Sequence, residues 1–66
     1  MDPSNFVALV EEIADAYERY VIDSAGGYHA NYEAYLHLNR ARLEANRGNL
    51  DAAREELATF RSLFGF

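Results

Sequence analysis

His29, Glu33 and His37 stand at i, i+4 and i+8. That spacing sets two imidazoles and a carboxylate along one side of a helix, where they could ligate zinc or another divalent ion. The set is incomplete as written, because His29 borders the Gly26-Gly27 pair and further ligands would have to come from another helix. The favoured reading is a solvated His–Glu pair, with His37 at the surface or in an interface and no metal assigned. Five tyrosines, Tyr17, Tyr20, Tyr28, Tyr32 and Tyr35, fall within the first 35 residues. Such rings suit the boundary between a core and water. They equally suit a contact surface, since tyrosine offers large rigid area at little entropic cost. Base stacking would need a basic groove to hold a backbone, which this chain lacks. The ending Leu63-Phe64-Gly65-Phe66 places two phenylalanines where exposure is unfavourable. They are expected to dock, either back across the chain's own helices or on a partner or twin subunit.

Acids supply the other constellation. Glu11, Glu12 and Asp15, with Glu18 a turn further on, form an acidic row whose plain reading is a solvated helix face. The Glu-Glu-x-x-Asp run is similar to half of the magnesium site of all-α nucleotide pyrophosphatases. That resemblance implies a matching acidic pair on a facing helix, and the chain provides none. No Arg-x4-6-His pair of compact helical nucleases occurs, and Gly26-Gly27 leads to no lysine of a phosphate loop. The expectation is a protein that is not an enzyme, with no catalytic residue and no cofactor.

The elements that must position these groups follow from apolar spacing. Phe6, Leu9, Val10, Ile13, Tyr17, Tyr20 and Val21 recur at threes and fours, which predicts a helix over about residues 3–23. Asp2 can cap it ahead of Pro3, and Gly26-Gly27 stops it. A second helix is expected from near Tyr28 to Asn31 through Asn46, with Tyr32, Tyr35, Leu36, Asn39 and Leu43 turned inward and Leu38 a further candidate. A third begins at Asn49 or Leu50, where Asn49 can cap, and Leu50, Ala53, Leu57, Phe60 and Phe64 trace one face. Arg47-Gly48-Asn49 is too short a link for anything but antiparallel neighbours. The run Ala41 to Leu57, with Gly48 closing one helix and Ala53 five residues later, resembles the turn of a tetratricopeptide-type helical hairpin. The family's other marker positions fall on His37, Arg40 and Glu44, and a single unit cannot bury its own face, so no peptide-binding role is carried over.

Sixty-six residues with a net charge of −5 bound the rest. The prediction is one all-α domain over residues 1–66, a long N-terminal helix on an antiparallel hairpin. So small a chain buries little of its surface, which points to a homo-oligomer. Residues 1–33 carry seven acids against Arg19, whereas residues 34–66 carry five arginines against Glu44, Asp51, Glu55 and Glu56. A surplus of acid disfavours direct nucleic-acid binding. No apolar run is long enough for a membrane span, the start Met-Asp-Pro-Ser lacks a basic signal-peptide opening, and cysteine is absent, which together suggest a cytoplasmic protein. All six cations are arginine, and eleven alanines accompany them, a bias matching a high-GC bacterial or phage genome. The functional expectation is a small acidic regulator or inhibitor that occupies a surface of a partner protein. Its contact residues would be Tyr28, Tyr32, Tyr35, Phe64 and Phe66 with the acids Glu11, Glu12, Asp15 and Glu18. The alternatives are a DNA-mimicking inhibitor of a nucleic-acid-binding protein and a self-assembling structural subunit.

Overall fold

Alanine decides how the helices of this chain meet. The computed structural model describes residues 3–25 and 31–65, which form α1 (Pro3–Ala25), α2 (Tyr32–Asn46) and α3 (Leu50–Phe64). No strand occurs among the described residues. The all-α class and the count of three helices agree with the sequence pattern, and α1 runs two residues further than its spacing predicted. Asp2, the Gly26-Gly27 stop, Tyr28, His29 and Phe66 lie outside the described residues.

The α2–α3 turn is built by its backbone. Gly48 adopts φ 85°, a left-handed conformation that a side chain would strain. With it in place, Gly48 N–H donates to the Ala45 carbonyl at 3.0 Å and Asn49 N–H to the Glu44 carbonyl at 2.9 Å. These paired bonds satisfy carbonyls that the end of α2 would otherwise leave free, the Schellman arrangement. Asn49 stands at the start of α3 as expected, but its side chain makes no cap bond. Its Nδ2 instead donates to Glu44 Oε2 at 2.9 Å and braces the turn from outside. At the far end of the hairpin Asn31 acts twice. Its Oδ1 accepts from Ala34 N–H at 3.0 Å and caps α2, while its Nδ2 donates to the Leu63 carbonyl at 3.1 Å near the end of α3.

Between those two ends the hairpin closes on small residues. Ala34, Leu38, Ala41 and Ala45 of α2 are buried at spacings of four, three and four, and Ala53, Leu57 and Phe60 of α3 meet them. This corrects the expected register of α2. Tyr32, Leu36 and Leu43 point outward, at 79%, 47% and 47% exposure, and Asn39 is half-buried. The alanine row lets two backbones approach closely, and a leucine face at the same place would hold them apart. The α3 stripe is as its spacing predicted, with Leu50 and Phe64 packed at its ends.

α1 contributes Leu9, Ile13, Ala16 and Tyr20 to the core. It runs antiparallel to α2, since Tyr20 meets Tyr35 and Tyr17 meets Asn39 while Ile13 lines a groove with Ala45. Val10 and Val21, expected inward, are exposed on its flank. At 23 residues against 15, α1 is about 34 Å long and the hairpin helices about 22 Å. The body is accordingly elongated, 40 × 17 × 16 Å. No polar or charged residue is buried among the described residues, so apolar packing fills the core, and the polar contacts between helices lie at its boundary. Replacing Leu57 by alanine is expected to cost about 2–5 kcal/mol, because the site is enclosed and cannot collapse. Leu43→Ala, measured on the dilute monomeric chain, is expected to stay within about 0.5 kcal/mol. Urea unfolding followed by circular dichroism checks both, and equal losses would contradict the register.

Candidate functional site

Among the sequence-predicted contact residues, the aromatic ones divide between the interior and the surface. Tyr35 stacks on Tyr20 with ring centroids 4.7 Å apart and meets Tyr17 edge-on at 6.1 Å. Phe64 packs on Phe60 at 5.1 Å and on Tyr20 at 5.4 Å. Their large apolar areas are therefore used inside the chain, which is the docking back across the helices that a C-terminal phenylalanine requires. Tyr32 is free of this cluster and largely exposed. Tyr28 and Phe66 lie outside the described residues. Glu11, Glu12, Asp15 and Glu18 are all exposed on α1, and the structure separates them from the interior tyrosines.

Of the histidine set, His29 lies outside the described residues, and His37 and Glu33 diverge. His37 turns across to α3, where its Nδ1 donates to Glu56 Oε2 at 2.6 Å, while Glu33 is exposed on α2. No group of three or more residues able to hold a metal ion occurs among the described residues. His37 works as a half-buried strut between the hairpin helices, on the flank away from α1.

A groove of about 260 Å³ runs between α1 and α2, lined by Val10, Ile13, Ala14, Tyr17, Arg42, Ala45 and Asn46. Its floor is fixed by Tyr17, whose hydroxyl donates to Asn39 Oδ1. The Arg42 guanidinium lies over the Tyr17 ring, 5.9 Å from its centroid. Burial pushes the Tyr17 hydroxyl above its ordinary value of 10.0; the Tyr35 hydroxyl acts in the same direction, and Arg42 opposes both. On either side of the groove the surface is apolar. Val7, Ala14 and Val21 recur every seven residues along α1, and Leu36 and Leu43 are seven apart on α2 with Tyr32 one turn before them. Eight large hydrophobic side chains are exposed among the described residues, and helical periodicity, taken from Val10 and Ala14 at the groove on α1 and from the buried alanine row on α2, turns six of them, Val7, Val10, Val21, Tyr32, Leu36 and Leu43, to this one side. Single exposed hydrophobics need no explanation, whereas a concentration of them on one face is the feature from which a docking surface can be argued.

Leu36 and Leu43 are the outward-facing leucines whose position the sequence pattern concealed. The visible signal was the alanine row at 34, 41 and 45, which marks the inward face once alanine counts as a packing residue. No helix among the described residues is long and apolar enough to cross a membrane. No protein-family model, curated protein or solved structure matches the chain.

The raised Tyr17 hydroxyl gives this floor a pH signature. Its folded-state value exceeds its unfolded one, so the stabilisation is complete below the unfolded value and is lost as pH rises through the folded one. Thermal melts taken from about pH 8 to about pH 11.5 should show Tyr17→Phe less stable at the low end, through the lost Asn39 bond, and falling less steeply above about pH 10 than the parent. Parallel curves would contradict the assignment.

Proposed function

We propose that this chain is a protein-binding module, a small acidic helical regulator whose working surface is the outer face of α1 and α2. The observation that carries the reading is the concentration of exposed Val7, Val10, Val21, Tyr32, Leu36 and Leu43 on that face. Burial of apolar area supplies affinity at about 25 cal/mol per Å² before the costs of association are met. Exposed carboxylates along its α1 border steer a partner more than they hold it, because rim charges act chiefly on association rate. The residues assigned to contact are therefore Tyr32, Leu36 and Leu43 of α2 with Val7 and Val10 of α1, bordered by Glu11, Asp15 and Glu18. The act is steric occupation of another polypeptide's surface, and no chemistry is assigned to the chain.

A second reading draws on the same border. Glu11, Asp15 and Glu18 rise along α1 in steps of about 6 and 4.5 Å, a regular line of negative charge that suits phosphate mimicry toward a nucleic-acid-binding protein. It requires the carboxylates, and not the leucines, to hold the partner.

Site-specific photo-crosslinking separates these. A benzophenone side chain placed at Leu43 should give one dominant adduct with another polypeptide in cells of the native host, and the same group at exposed Thr59 on α3 should give none. Adduct formation without preference between the two positions would sink the proposal. Converting Glu11, Glu12, Asp15 and Glu18 to their amides should leave the Leu43 adduct in place with slower formation. Its disappearance would favour mimicry.

A further inference from the structure

We infer that the α1–α2 face binds a second copy of this chain, related by a two-fold axis lying parallel to the helices. The inference rests on the protein-binding reading of that face and names its occupant. The face carries its own complement. On α1 the row Val7, Ala14, Val21 is bordered four residues on by Glu11 and Glu18. On α2 the row Leu36, Leu43 is bordered four residues on by Arg40 and Arg47. Apolar rows repeating every seven residues, flanked by charge, are the pattern by which helices pack along their length on other helices. Here the two helices of one face carry opposite signs.

The sign pattern selects the symmetry. When a copy is turned about an axis parallel to the helices, α1 of one subunit lies over α2 of the other, and each acidic border meets an arginine border. An axis across the helices would instead lay acid on acid and arginine on arginine, which is repulsive. The heights agree as well. Tyr17 and Asn39 stand level through their hydrogen bond. Counting about 1.5 Å per residue from that level, Glu18 and Arg40 lie about 3 Å apart along the axis, and Glu11 and Arg47 are offset by about the same. Such a rotation leaves heights unchanged, so both pairs fall into register together and the two-fold repeats them. Val10 and Ala14 then oppose Leu43, and Val21 opposes Leu36. A foreign partner would have to reproduce both the apolar rows and the alternating border, whereas a second copy has them already. Arg47 also meets Glu44 of its own chain at 3.1 Å, so Arg40 is the cleaner position to probe.

Sedimentation equilibrium on the purified full chain at tens of micromolar should give twice the 7.5 kDa chain mass. Leu43→Glu should return the monomer mass with helix content unchanged, since the position is exposed. Glu18→Arg and Arg40→Glu should each weaken self-association about tenfold, about 1.4 kcal/mol. An equimolar mixture of the two variants should recover association, as a heterodimer in which both borders are again opposite in sign. A parent chain that stays monomeric at these concentrations overturns the inference. So does a Glu18→Arg chain that associates more tightly, or a mixture that recovers nothing. A monomeric parent that still forms a Leu43 adduct with a different polypeptide would overturn the self-association alone and leave the protein-binding reading standing.

Discussion

The ring of Tyr20 is the place where all three helices touch. It projects from α1, stacks on Tyr35 of α2, and leans on Phe60 and Phe64 of α3 with centroids 6.5 and 5.4 Å away. Because α1 shares no backbone hydrogen bond with the hairpin among the described residues, side chains set its position, through ring packing and the Tyr17–Asn39 bond. A single large aromatic that contacts rings on both other helices fixes its height and rotation at once. Everything on the outer face inherits that placement: if α1 turned by one residue, Val10 would leave the groove and Glu11 would enter it. The groove, the apolar rows and the charged borders are thus consequences of one ring seated among three others.

The hairpin beneath α1 obeys a different constraint. Its interior is filled mainly by alanine on the α2 side, so little area is available there per residue, and the leucines that would ordinarily supply it stand on the opposite side. In a chain this short the arrangement leaves α2 apolar on two faces. One is satisfied by α3 and the other remains open, with Tyr17, Asn39, Arg42 and Asn46 as polar groups near the groove. The open face is therefore a by-product of close helix approach, and its composition follows from the same residues that make the hairpin tight.

Much of the architecture was legible in the residues themselves. The α3 stripe from Leu50 to Phe64 has strong amphipathic contrast, and its helix, its buried face and its junction at Gly48 all follow from spacing. The register of α2 was not legible, because a pattern reading weights Tyr32, Leu36 and Leu43 above alanine, and only proximity to a second helix reveals why alanine wins. The acids of α1 could be placed on an exposed face from periodicity alone. That they border an apolar row, and that Arg40 and Arg47 border another on the neighbouring helix, depends on how α1 is rotated against α2, which is long-range information. Likewise the spacing along α2 leaves His37 at the surface or in an interface without a partner, and the residue it meets, Glu56, is nineteen residues away in sequence.

The left-handed glycine at the α2–α3 turn also orders events in time. Contacts between helices joined by three residues close only a short loop, so the hairpin can assemble at the rate of local structure. α1 meets the hairpin across larger separations in sequence, and Tyr20 finds its seat only once the Tyr35, Phe60 and Phe64 rings are in place. The chain should then gain its structure in two unequal steps, an early helical pair and a later arrival of the N-terminal helix. In reverse, the first opening of the native molecule is the lifting of α1. That motion bares the inner aromatic rings while dismantling the outer face, which makes the lifetime of that face equal to the residence time of one helix on the other two.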